Sequence, residues 1–170
     1  MQDAGERRLS GPERVVAAAQ ALGFDVEVRR MPASTRTAAE AAATCGCEVA
    51  QIVKSLVFQV ESPADSQVEA RDTLRLLLVA GDNRVDPDRI ASETGERLGR
   101  ADPKRVKAET GFAIGGVPPI GHAMPIAVWM DRSLLAHTTV WAAAGAPDAV
   151  FSTPPAALAD VTGARIIDVT

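Results

Sequence analysis

The densest concentration of unusual residue chemistry is Thr110-Gly-Phe-Ala-Ile-Gly-Gly-Val-Pro-Pro-Ile-Gly-His122, with four glycines and two prolines in thirteen residues. Gly115-Gly116 admits a left-handed backbone and the close approach of another chain. Successive amides in such a bend form a concavity that attracts anions. Pro118 and Pro119 stiffen the segment and contribute no N–H, and Gly121 permits a second close approach. A stiff loop with exposed amides suits a phosphate, a carboxylate or the oxyanion that develops on an ester. The same composition also describes a long structural turn, and the residues alone leave both readings open.

Four side chains could work beside that loop. Lys54 falls in a β-branched, apolar run, where it shares a strand face with Ile52, Leu56 and Phe58. A lysine there either reaches an anion or carries its charge out to water along a packed stem. His122 can act as acid, base or donor near neutral pH. His137 sits in a strand-like stretch and reads as structural. Asp131 closes an apolar run, where it caps a turn through Ser133 or orients a ligand amine. No Ser-His-Asp set, phosphate-binding loop or dinucleotide fingerprint accompanies them. Cys45 and Cys47, one residue apart, are poorly placed for a disulfide. With two distant histidines they also fall short of a zinc site, so no metal or organic cofactor is expected.

The elements that must position these residues alternate between helix and strand. Pro12 starts a helix that Gly23 stops. Residues 25–30 alternate like a half-buried strand. Thr37-x-x-Glu40 is a capping box for an alanine-rich helix that Gly46 breaks. A short helical turn from Glu48 leads into a strand that ends near Val60, and Leu74–Ala80 is a second buried strand. The polar residues 61–73 join them as a hairpin, and Gly81-Asp-Asn is a turn. Asp86-Pro87 and Asp102-Pro103 each read as N-cap plus first helical residue, with stops at Gly95 and Gly111. Strands are expected over residues 125–130 and 134–141 and at Val150-Phe151, where the last continues the sheet. Thr153-Pro154 then caps a helix that Gly163 ends, and residues 165–169 form a final strand. This order predicts one α/β domain of the α+β type: a mixed, mostly antiparallel central sheet packed with helices over residues 12–170, after a flexible lead-in at residues 1–11.

Bulk properties narrow the function. A 170-residue chain with 46% apolar residues has enough surface to bury for one core. The net charge of −4 argues against non-specific duplex binding, and hence against DNA as a partner. Of the 18 basic residues 15 are Arg, the better bidentate partner for phosphate. No apolar run approaches the ~20 residues of a membrane span, and the polar first residues do not read as a signal peptide. A cytoplasmic protein is the expectation.

The segments Val53-Lys-Ser-Leu-Val-Phe58, Ala80-Gly-Asp82, the glycine-proline loop, Asp131-Arg-Ser-Leu-Leu135 and Ala144-Gly-Ala-Pro-Asp-Ala-Val-Phe151 together resemble the YbaK / prolyl-tRNA synthetase-associated domain family. Its members are free-standing aminoacyl-tRNA deacylases and the inserted editing domain of bacterial prolyl-tRNA synthetases. The resemblance implies hydrolysis of a mischarged aminoacyl ester, such as Ala, Cys, Ser or Thr on the tRNA for proline. It implies a pocket for the tRNA 3′ end and a possible prolyl-tRNA synthetase partner. Lys54 matches the family's pocket lysine, and Gly115, Gly116, Pro119 and Gly121 match its loop. Ala144 and Gly145 match a second small-residue segment. The expected catalytic groups are therefore Lys54 and the amides around Gly115 and Gly116, with Gly145 as the alternative holder of the ester oxygen. Pro119, Gly121, His122, Asp131, Ala144 and Gly145 are expected to bind substrate. Two departures stand out: Pro118 where serine is common, and Ala146-Pro147-Asp148 where some relatives carry charge or histidine. Two other readings fit the same residues, a non-catalytic module that holds tRNA ends or a synthetase, and a small-molecule ester or amide hydrolase.

Overall fold

The structure is a computed structural model, and it describes residues 7–32, 35–61 and 73–170. Local sequence signals set most of the element ends. Helix α1 (Gly11–Ala21) begins at a reciprocal capping box in which Ser10 and Glu13 satisfy each other's backbone amides. Thr37 and Glu40 do the same for α2 (Ala38–Cys45), and Gly46 closes that helix in the left-handed conformation. A 3₁₀ turn at Val49–Gln51 follows. Asp86 and Asp102 cap α3 (Pro87–Thr94) and α4 (Pro103–Thr110), each with proline in the first turn and a left-handed glycine at the end.

Two sheets form. Strands β2 (Val53–Glu61), β3 (Leu74–Ala80), β4 (Arg97–Arg100), β5 (Ala127–Asp131) and β8 (Arg165–Ile167) make a five-stranded sheet in the order β4-β2-β3-β5-β8. Its β2/β3 and β2/β4 pairs are antiparallel, whereas β3/β5 and β5/β8 are parallel. Strands β1 (Arg29–Arg30), β6 (Val140–Ala143) and β7 (Ala149–Thr153) make a separate antiparallel sheet in the order β1-β7-β6. Four of the six pairings are therefore antiparallel. A lone bridge between Ile52 and Trp141 joins the sheets, so β7 does not extend the central sheet as expected.

The central sheet is covered on both faces. Leu76 and Leu78 join the larger core with Val15, Phe112, Ile120 and Phe151, while Leu77 and Val79 pack with Ile90, Trp129 and Ile167 on the other side. Double burial explains why β3 reads as an unbroken apolar run with a single arginine.

Several expectations need correction. Only Arg29 and Arg30 of residues 25–30 pair with another strand; Val26 and Val28 pack against the core, so their alternation records half-burial without a ladder. Residues 134–141 split, because the Asp131 carboxylate accepts from the Ser133 amide and starts a 3₁₀ turn at Arg132–Ala136. His137 ends that turn. Thr153 does not cap α5 (Pro155–Thr162), which starts from Pro154 with no side-chain cap. The hairpin connection expected at residues 61–73 lies largely outside the described residues. Strand β4 was not expected, since its ends are charged and only Leu98 is apolar.

Candidate functional site

Strand β4 pairs with β2 only from Phe58 onward, which leaves one edge of the first half of β2 free. A cleft of about 290 Å³ opens there. Its walls are α2, the start of β2, strand β6, the turn before β7, and Gly115 with Val117 from the glycine-proline loop. Most of the lining is apolar, with Met31, Ile52, Val53, Trp141, Ala142 and Val150 among its residues. Its polar side chains are Thr35, Arg36, Thr37, Lys54 and Ser55. Among the described residues no Asp, Glu, His or Cys lines it.

Lys54 lines the cleft, and its ammonium donates to the backbone carbonyl of Asn83. One of its three N–H donors is thus committed to a neutral acceptor, and two remain for a ligand. Among the described residues no carboxylate pairs with it. The acceptor is held from behind. Asn83 Nδ2 donates to Asp131 Oδ2 at 2.8 Å and to Ser133 Oγ at 2.9 Å. Asp131 is 3% exposed, and it also accepts from the amides of Ala80 and Ser133 and from the Ser133 hydroxyl. Asp131 therefore clamps the turn that receives Lys54, in the capping role rather than facing the cleft.

The glycine-proline loop is mostly anchored. Val117, Pro118, Pro119 and Ile120 are buried, and Val117 and Ile120 belong to the larger core. Gly121, at φ +88°, lies under α1 and near the Arg14 carbonyl. His122 Nε2 lies 2.6 Å from the Pro118 carbonyl, which requires the proton on that nitrogen. Burial pushes the imidazole below its ordinary value of 6.5, partly offset by that carbonyl. The Gly116 amide donates to Ala113 at 3.0 Å and closes a tight turn in which Gly115 takes φ +87°. That amide is spent, so of the expected pair only Gly115 presents an N–H with no partner among the described residues.

The second small-residue segment approaches from the opposite wall. Gly145, at φ +85°, packs so closely on Gly11 that a Cβ on Gly11 would stand 1.8 Å from the Gly145 oxygen. The Ala144 amide donates to Ala149, and that of Ala149 to Ala146. Ala144 is fully buried, and the cleft is reached instead by Ala146 and Pro147. Pro119, Gly121, His122, Asp131 and Ala144 consequently lie behind the cleft, while Lys54 and Gly115 lie on it.

A sequence profile of the aminoacyl-tRNA editing domain matches residues 32–161, which span every wall just described. The chain belongs to the aminoacyl-tRNA editing domain family. It is 31% identical over 144 residues to the uncharacterized protein YwhH of Bacillus subtilis (strain 168), covering 84% of this chain and 86% of that protein. Among solved structures, a proposed trans-editing enzyme for prolyl tRNA synthetase is 44% identical, with a TM-score of 0.83 over 96% of this chain and 99% of that one. The hypothetical protein APE2540 is 29% identical, with a TM-score of 0.79 over 92% and 99%.

Within this editing domain, three cleft residues escaped the sequence reading. The Ser55 hydroxyl is fully buried with no hydrogen-bond partner among the described residues. It shares a strand face with Val53 and Val57, whose side chains join the larger core, so an inward serine on an apolar face was the available signal. Trp141 was read only as part of a strand, yet it lines the cleft beneath the Arg29 guanidinium, 5.7 Å from the ring centroid. Arg36 had no signal beyond its charge. Cys45 and Cys47 stand outside the lining, and burial pushes both thiols up.

Proposed function

We propose that this editing domain hydrolyses the ester between a small, wrong amino acid and the 3′ end of a tRNA, with the tRNA for proline as the expected carrier. Water adds to the ester carbonyl, the bond to the ribose oxygen breaks, and free amino acid and a 3′-hydroxyl tRNA leave. The observation that carries this reading is the pairing of a small apolar cleft with an unneutralised Lys54 and the free Gly115 amide. The volume sits just below the usual range for ligand pockets, roughly 300–1,000 Å³, which suits a short side chain.

Each group has a role that its position supports. Lys54 offers two donors to the ester oxygen or to the adjoining phosphate. Gly115 holds the developing oxyanion, where one well-placed donor is worth roughly 3–4 kcal/mol, or about a hundred- to a thousandfold. Among the described residues no carboxylate or imidazole lines the cleft, so proton removal from water falls to the substrate itself, through its 2′-hydroxyl or its side chain. The 44% identity to a proposed trans-editing enzyme for prolyl tRNA synthetase supports proline tRNA as the carrier.

The test is deacylation of tRNAs mischarged with Ala, Cys, Ser or Thr. At least one is cleared well above background, and Lys54→Ala loses about a hundredfold or more of that rate. If the wild-type protein clears none, the hydrolase reading is rejected. RNA binding without turnover would leave the binding-module reading, and turnover of RNA-free esters would leave the small-molecule one.

A further inference from the structure

The cleft that holds Lys54 does not end at Gly115. A second hollow of about 390 Å³ lies beyond it, and the two share Gly115, Ala146 and Pro147 as a common ridge. Its character is different. Arg14 and Lys107 line it, and among the described residues no acidic side chain does. Neither cation forms an ion pair among the described residues. Both instead converge on the carbonyl of Gly111, Arg14 Nη1 at 3.1 Å and Lys107 Nζ at 3.4 Å. The Arg14 guanidinium also stacks on Phe112, 4.0 Å from the ring centroid, which fixes its plane. The contact between Gly11 and Gly145 sets Arg14, one helical turn on, beside the ridge. In a chain of net charge −4, two unpaired cations in one acid-free hollow are a directed arrangement.

We infer that this hollow binds the phosphodiester that joins the terminal nucleoside of the tRNA to the one before it, so that the single-stranded 3′ end crosses the ridge with its ester on the Lys54 side. The inference rests on the deacylase reading for the placement of the ester. The first cleft is too small for an aminoacyl group and a whole nucleotide together, so the strand has to leave it. The shared ridge offers the way out, and fixed cations suit a phosphate. Lys107 is exposed, whereas Arg14 is held in advance by its contacts with Phe112 and the Gly111 carbonyl.

The experiment measures binding apart from turnover. An uncharged hairpin RNA carrying a single-stranded 3′ tail is titrated by fluorescence anisotropy, and the same hairpin without its tail is the control. Lys107→Glu is compared with Lys104→Glu, an equal charge change on the same helix but outside the hollow. Lys107→Glu is expected to weaken binding of the tailed RNA about tenfold and to lower the slope of log affinity against log salt by ~0.7, while Lys104→Glu changes affinity less than about twofold. Equal losses in the two variants, no loss in either, the same loss on the tailless RNA, or no wild-type binding would each overturn the inference. A protein that binds the tail through Lys107 yet clears no mischarged tRNA would sink the hydrolase reading and leave this one standing.

Discussion

Replacing Ser55 by alanine should make the protein more stable and less active. The Ser55 hydroxyl is fully buried and has no hydrogen-bond partner among the described residues. Burying a hydroxyl without a partner costs about 1–3 kcal/mol by protein mutational data. Ser→Ala removes that cost and leaves a gap of about one oxygen atom. A gap of ~12 Å³, at ~24 cal/mol per Å³, takes back only ~0.3 kcal/mol. The net gain is about 0.7–2.7 kcal/mol, or a rise in Tm of roughly 1–11 °C for a domain of this size. Ser55 lines the cleft, beside Lys54 in sequence, with its hydroxyl just beneath the wall. A substrate group that displaces the wall as it enters becomes its partner, and losing that bond costs the reaction about 1 kcal/mol, roughly fivefold. Urea unfolding and deacylation of one mischarged tRNA, run on both proteins, read the two effects. A variant destabilised by more than ~0.5 kcal/mol would show that the hydroxyl is satisfied in the folded protein, and the reasoning would fail.

Two further outcomes follow from the loops. Because the folded state holds the His122 imidazole below 6.5, the unfolded chain binds more protons as pH falls through that value, and stability is lost progressively down to the folded value. His122→Gln keeps a donor for Pro118 without the titration, so its urea midpoint should fall less between pH 7 and pH 5 than that of wild type; parallel curves would contradict the burial argument. Gly11→Ala places a methyl against the Gly145 backbone, where nothing flexible can yield. It should cost about 2–3 kcal/mol in urea unfolding, and an unchanged midpoint would mean that α1 and the ridge are not locked together.

The sequence was most informative where structure is local. Thr37 with Glu40 and the Asp-Pro pairs at 86 and 102 specify helix starts through side chains within three residues, so they could be read directly; the Ser10–Glu13 box is equally local, although the expectation for that helix rested on Pro12 alone. The edge strand Arg97–Arg100 could not, because its pairing with Phe58–Glu61 leaves no apolar pattern on the chain itself. The Ile52–Trp141 bridge, which joins the sheets and frames the cleft, links residues that nothing local connects. The same divide runs through the site. Lys54 and the glycine-proline loop stand out by composition. Which loop amides are free depends on a turn that consumes Gly116 and spares Gly115, and that is a property of dihedral angles and not of residue type.

The placement of charge gives the site its working logic. Asp131 is buried one layer behind Lys54, separated from it by Asn83, and spends its oxygens on the Ala80 amide, the Asn83 side chain and Ser133. A carboxylate paired directly with the lysine would neutralise it and draw it away from a ligand. With a backbone carbonyl interposed, the lysine is oriented but keeps its full charge. Arg14 and Lys107 follow the same plan on the far side of the ridge, since both rest on the Gly111 carbonyl. An anionic nucleic-acid end bearing a neutral ester is the kind of ligand that such carbonyl-seated cations can receive without first breaking an ion pair. On the proposed reading, that arrangement would let a chain of net charge −4 receive one end of an RNA.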